Sequence, residues 1–218
     1  MEIKRTKFNL SILGETQVGK TCILSVYKGV NFNAKNLSTI GMDTFIDLVN
    51  IEGQEYKFKI FDTNGQERYN SISSSTIKFA DGFLVVFSVD KKSSFEKIVN
   101  WIKVIENSVD IREKAVILVG NKIDKPEREV SNEEALSFAK RKKLKYYETS
   151  AKTGFNIKEV FNEIYKDIYL LNTDNGPILE KDVDEEINHR IENIQIKKSD
   201  FKKKNVNDEN TNGKCCSK

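Results

Sequence analysis

Apolar and polar positions change rhythm repeatedly along residues 5–171, and each rhythm predicts an element. Phe8 to Leu13 alternates apolar and polar, the period of a strand. Cys22 to Lys28 has helical spacing and stops at Gly29, a residue suited to close a helix. Residues 31–36 are polar and carry no period. Thr44 to Ile51 and Tyr56 to Phe61 read as two strands joined by Glu52-Gly53-Gln54, so the pair is expected to be an antiparallel hairpin. Gly82 to Val89 is an unbroken apolar run, the mark of a strand covered on both faces, and Ala115 to Gly120 is a second. Between them, Ser94 to Ser108 puts Phe95, Ile98, Trp101, Ile102 and Ile105 on one side of a helix. Ser131-Asn132-Glu133-Glu134 opens another helix with N-cap chemistry. Leu144 to Thr149 is the last strand. Phe155 to Leu171 is the last helix, with Ile157, Val160, Phe161, Ile164 and Ile168 in period.

Strands alternating with helices predict an α/β fold: a mostly parallel, six-stranded sheet with one antiparallel edge strand and helices on both faces. In such sheets ligands bind beyond the carboxyl ends of the strands. Chemistry is therefore sought in the loops that follow strands.

Composition narrows the field. Only 38% of the 218 residues are hydrophobic, low for a fully packed chain of this length. The net charge of +3 is too small to argue for nucleic acid, and the basic residues are not gathered on the folded part. Three cysteines make no disulfide framework, so a reducing compartment is the default. Nothing after Met1-Glu2-Ile3-Lys4-Arg5 reads as a signal peptide. The longest apolar run, Phe83 to Phe87, is too short to span a bilayer. A single histidine, His189, argues against a His-based hydrolase or a His-ligated zinc site.

The loop after the first strand reads Gly14-Glu15-Thr16-Gln17-Val18-Gly19-Lys20-Thr21 and fits the phosphate-binding pattern G-x-x-x-x-G-K-[ST]. Its glycines allow a sharp turn, its backbone N–H groups can form an anion-binding concavity, and the helix behind it adds a positive end. Lys20 would reach the β- and γ-phosphates and the Thr21 hydroxyl would ligate Mg²⁺. A glycine turn without a ligand could share the pattern, but this one lies between a strand and a helix, as the chemistry requires.

Three more loops carry candidate residues. In Asp62-Thr63-Asn64-Gly65-Gln66-Glu67, Asp62 can hold a Mg²⁺ hydration shell, the Gly65 N–H can meet a terminal phosphate, and Gln66 can orient a water. In Asn121-Lys122-Ile123-Asp124, the Asp124 carboxylate can accept two hydrogen bonds from guanine N–H groups that adenine cannot supply, while the Lys122 stem can lie along the base. In Thr149-Ser150-Ala151-Lys152, backbone N–H groups can meet a base carbonyl. Taken singly, the first two also read as solvated polar turns.

The four motifs together, in this order and each behind a strand, resemble the small GTPases of the Ras superfamily over residues 5–171. The resemblance implies a P-loop G domain over residues 1–172 that binds GTP and GDP with Mg²⁺ and hydrolyses GTP slowly. It implies that Thr39 is the switch threonine that ligates Mg²⁺ only with the γ-phosphate present. Asp62, Gly65 and Gln66 would form the second switch, with Gln66 and Lys20 as the catalytic pair. Asn121, Lys122 and Asp124 would read guanine, supported by Ser150, Ala151 and Lys152. Thr39-Ile40-Gly41-Met42-Asp43, Asp62 to Arg68 and the paired cysteines resemble Rab proteins, which implies a switch in vesicle traffic. Thr44, Phe61, Asn64, Thr16, Gln17 and Ser75 to Ala80 depart from the usual Rab residues. No arginine in the switches is an evident finger in cis, so an activating protein in trans is expected, with an exchange factor and effectors.

From Asn172 the composition changes. Residues 173–196 carry two basic groups against seven acidic; residues 197–218 carry seven basic against three acidic. Val183, Ile187, Ile191 and Ile194 allow a helix over about 180–196, or only nascent helicity in a disordered arm. The Rab-like reading of Cys215 and Cys216 implies two prenyl groups, with the basic cluster 197–204 adding attraction to an anionic surface. That reading implies a monomer attached peripherally to the cytosolic face of an intracellular membrane, handled by prenylation and membrane-extraction machinery. The other readings are a GTP-binding interaction module poor in hydrolysis, a signalling GTPase outside the Rab family, and a P-loop kinase or ATPase.

Overall fold

Six strands join in one sheet in the order β2-β3-β1-β4-β5-β6. They are β1 Lys7–Leu13, β2 Asp43–Ile51, β3 Gln54–Asp62, β4 Gly82–Ser88, β5 Ala115–Asn121 and β6 Lys145–Thr149. The helices are α1 Lys20–Tyr27, α2 Ile72–Phe79, α3 Lys92–Glu96, α4 Ile98–Glu106, α5 Asn132–Lys142 and α6 Ile157–Thr173. This is a computed structural model, and it describes residues 6–32, 43–63 and 72–173. Thr39, Asn64, Gly65, Gln66, the proposed tail helix, the basic cluster 197–204, Cys215 and Cys216 lie outside the described residues.

The sheet is mixed as expected: β2 pairs antiparallel with β3, and every other pairing is parallel. β4 and β5 are buried along their whole length. Leu84 and Val86 enter the core beneath α1 and α6, while Phe83, Val85 and Phe87 enter the core beneath α3, α4 and α5. That two-sided burial is why these strands show no polar alternation. The β2–β3 turn is tighter than expected. Glu52 (φ +53°) and Gly53 (φ +82°) make a two-residue loop, and Gln54 already pairs with Ile51.

Two helix ends follow from local chemistry. Gly29 (φ +79°) closes α1: its N–H donates to Val26 O at 3.0 Å, and the Val30 N–H donates to Ser25 O at 2.9 Å. This 6→1 and 5→2 pair satisfies carbonyls the helix leaves open. The Ser131 hydroxyl accepts from the Glu134 N–H at 3.1 Å, the N-cap expected from the sequence.

Two elements differ from expectation. The helix predicted over Ser94 to Ser108 is broken at Lys97 into α3 and α4. Helix α2 was not predicted; its run Ile72-Ser73-Ser74-Ser75-Thr76 is poor in helix formers, and tertiary packing, with Ile77 fully buried, outweighs propensity.

Within β1 the Ser11 hydroxyl is fully buried and has no hydrogen-bond partner among the described residues. Burial without a partner costs about 1–3 kcal/mol. Ser11→Ala is therefore expected to stabilise the chain by about 1 kcal/mol in urea unfolding; a loss of stability would show that the hydroxyl is satisfied.

Candidate nucleotide site

The order β2-β3-β1-β4-β5-β6 reverses direction at β1. The chain leaves β1 through α1 on one face and leaves β3 toward α2, whose Ile77 packs on the other face. A crevice opens where such departures diverge. The loop after β1 and the end of β3 at Asp62 and Thr63 border it, and the loops after β5 and β6 continue along the same edge.

The loop after β1 needs its glycines. Gly14 has φ +142°, and a Cβ there would stand 2.2 Å from Val86 O. Gly19 has φ +101°, and a Cβ there would stand 2.4 Å from the Asn121 amide nitrogen. Gln17 adopts φ +65° without being glycine. Lys20 is buried, and its ammonium donates to Gly14 O at 2.7 Å and Glu15 O at 3.0 Å, so a positive charge is fixed within the loop. Thr21 follows in the first turn of α1, half-buried.

At the end of β3, Asp62 is 1% exposed and lies in register with Ile12 of β1. The next residue ties the two strands: the Thr63 hydroxyl donates to Ile12 O at 2.8 Å. A buried carboxylate is thereby held beside the phosphate-type loop.

Asn121 joins three loops. Its side-chain amide donates to Val18 O at 2.9 Å, while its oxygen accepts from the Ala151 N–H at 3.2 Å and the Thr149 hydroxyl at 3.3 Å. Asp124 accepts from the Ser150 hydroxyl at 2.6 Å, and the same Ser150 oxygen accepts from the Thr153 N–H at 3.1 Å. Lys122 has φ +69°, strained for a residue with a side chain. Lys152 is exposed. Thus Gly14 to Thr21, Asp62, Asn121, Lys122, Asp124, Ser150, Ala151 and Lys152 all lie at one end of the sheet.

The sequence reading missed two charged residues here. Asp90 lies 3.6 Å from the Lys122 ammonium and also pairs with Lys125. Lys97 lies 2.7 Å from Glu15. Burial holds the Lys122 pKa below the usual lysine range, with the Asp90 charge acting against it. For Asp90, burial acts upward, but hydrogen bonds from Lys125 and Ser88 and the charges of Lys122 and Lys125 prevail, and its pKa lies below the ordinary value. No motif marks these partners, because each is distant in sequence from the loop it touches.

Asn121→Ala would leave the Val18 carbonyl and the Ala151 N–H without their partner. A loss of about 2–3 kcal/mol in urea unfolding is expected; a change under about 0.5 kcal/mol would show that the amide does not hold the loops together.

The Ras family model matches residues 9–170. "Ras-related protein Rab-13" of Rattus norvegicus is 37% identical over 164 residues, covering 75% of this chain and 80% of the relative. "Ras-related protein RABE1e" of Arabidopsis thaliana is 36% identical over 211 residues, covering 95% and 91%. "Ras-related protein Rab-8" of Diplobatis ommata is 38% identical over 162 residues, covering 74% and 77%. The chain belongs to the Ras family of small GTPases, as a divergent Rab-like member.

Proposed function

We propose that the end of the sheet described above is where this GTP-binding and GTP-hydrolysing regulator of vesicle traffic holds its nucleotide. The observation that carries the assignment is the convergence of three motif-bearing loops on one edge, tied together through Asn121, with the buried Asp62 beside them at the end of β3. Gly14 to Gly19, with Glu15, Thr16, Gln17 and Val18 between them, offers backbone N–H groups to the phosphates. Lys20 offsets charge on the terminal phosphates. Asp124, held by the Ser150 hydroxyl, accepts from guanine. Ala151 and Lys152 flank the base, and Lys122 lies along it.

The residues present fit Mg²⁺. They are hard oxygen donors: the buried Asp62 carboxylate and the Thr21 hydroxyl, with Thr39 as a further candidate outside the described residues. Among the described residues no group of three or more His, Cys, Asp or Glu forms a metal cage. A magnesium ion bound through one carboxylate, hydroxyls, water and phosphate oxygens needs none. When bound, it would supply charge compensation at the phosphates.

Hydrolysis then rests on position and electrostatics. Gln66 orients the attacking water, the Gly65 N–H meets the γ-phosphate, and Lys20 neutralises developing charge. Loss of the γ-phosphate releases Thr39 and Gly65, and the two switch loops relax. A GTPase-activating protein, an exchange factor and effectors act on residues 1–172, which we assign as the G domain. Residues 173–218 form a tail, with prenyl groups on Cys215 and Cys216 holding the protein peripherally at a cytosolic membrane face as a monomer. No helix among the described residues is long and apolar enough to cross a membrane.

Calorimetry with GDP, GTP and ATP in Mg²⁺ tests the assignment. Tight guanine binding is expected, and Asp124→Ala is expected to weaken it at least about a hundred-fold through the loss of two charge-assisted hydrogen bonds. ATP competing equally with GTP would sink the role given to Asp124. In single turnover with an activating protein, Gln66→Leu is expected to slow phosphate release about a hundred-fold; an unchanged rate would remove Gln66 from the mechanism.

A further inference from the structure

The segment from the end of β4 to the start of α4 belongs to none of the four motif loops. Yet it supplies an ion partner to each end of the site. Asp90 stands 3.6 Å from the ammonium of Lys122, in the loop after β5. Lys97, at the break between α3 and α4, stands 2.7 Å from the Glu15 carboxylate in the loop after β1. The second contact spans 82 positions along the chain, so it closes a long circuit rather than stapling a turn.

Each partner is placed to act on its loop. The Asp90 side chain is 11% exposed and is held by the Ser88 hydroxyl and the Lys125 ammonium. It therefore presents a shielded, fixed charge to Lys122. Lys122 is half-buried on a strained backbone, an arrangement that disfavours its ammonium unless a counter-charge is near. Glu15 is also shielded, with its side chain 19% exposed, and its own carbonyl accepts from Lys20. A carboxylate in a loop that receives phosphates repels the ligand unless it is neutralised, and Lys97 neutralises it.

We propose that Asp90 and Lys97 are positioning residues that set how long the nucleotide stays bound, Asp90 through Lys122 at the base and Lys97 through Glu15 at the phosphates. This rests on the nucleotide reading given above. The two arms have different signatures. The base is common to GDP and GTP, so removing the Asp90 charge speeds release of both alike. Repulsion by Glu15 grows with the charge of the ligand, so removing the Lys97 charge speeds release of GTP more than GDP.

Stopped-flow release of fluorescent GDP and of a fluorescent, slowly hydrolysed GTP analogue from the full chain tests both arms. Asp90→Asn is expected to speed release of both nucleotides about ten-fold. The same substitution in a Lys122→Met background is expected to change release less than about two-fold, since its target is gone. Asp90→Glu should keep release near that of the wild type. Lys97→Gln should speed release of the GTP analogue about five-fold more than that of GDP, and adding Glu15→Gln should cancel the difference. If Asp90→Asn has the same effect with and without Lys122, it acts only on the turn, and its positioning role falls. Unchanged release in Asp90→Asn, or equal effects of Lys97→Gln on both nucleotides, overturns the corresponding arm. A wild-type chain that binds neither nucleotide would instead sink the nucleotide reading, and this proposal with it.

Discussion

The side chain of Asn121 is the contact on which the working end of the molecule depends. Loops after three strands would otherwise be separate excursions from a rigid sheet, each free to choose its own conformation. One buried amide satisfies the Val18 carbonyl on one side and the Ala151 N–H and Thr149 hydroxyl on the other. Both halves of the amide are used, and the group is 1% exposed, so its hydrogen bonds face little competition from water. The same packing explains Gly19. A Cβ there would stand 2.4 Å from the Asn121 nitrogen, so the loop must surrender a side chain for the amide to approach it.

That contact is possible only because of how the chain crosses the sheet. β1 lies between β3 and β4, and the chain visits β2 and β3 before returning to β4. Helices α1 and α6 cover one face, while α3, α4 and α5 cover the other. The described loops after β1, β5 and β6 lie at the carboxyl edge of the sheet. Of the four buried charged residues among those described, Lys20, Lys59, Asp62 and Asp81, two stand at this edge: Lys20 and Asp62.

Much of this was legible in the sequence because it is local. The runs Gly82 to Val89 and Ala115 to Gly120 announce two-sided strands, Ser131 announces its own helix, and the phosphate-type loop is contiguous. What was not legible is what depends on partners far apart. Helix α2 forms against its own composition because Ile77 finds a core built by other segments. Lys97, between α3 and α4, meets Glu15 from 82 positions away along the chain. Asp90 reads as one polar residue in a turn until β4 and β5 are set side by side, with Ser88 opposite Asn121. Asn121 and Ser150 hold the loops from within the motifs, but Asp90 and Lys97 touch those loops from a segment that carries no motif.

The edge strand β2 shows the same limit most sharply. Phe45, Asp47, Val49 and Ile51 face inward and partly buried, while Ile46 and Leu48 face outward and exposed. Hydrophobicity barely separates the two faces, and a slip of one residue would exchange them. Two constraints choose. The two-residue turn at Glu52-Gly53 fixes the register against β3. Asp47 then receives the Tyr27 hydroxyl from α1 at 2.5 Å and the Tyr165 hydroxyl from α6 at 2.9 Å. Burial, with Asp47 adding to it, raises the pKa of both tyrosines far above the ordinary value, so both hydroxyls remain protonated donors across the physiological range. In the slipped register Asp47 would lose both donors and an apolar side chain, Ile46 or Leu48, would meet the tyrosine hydroxyls instead. An inward carboxylate on an edge strand thus sets the register that hydrophobic burial alone leaves nearly undecided, and it does so from the two helices that cover the same face.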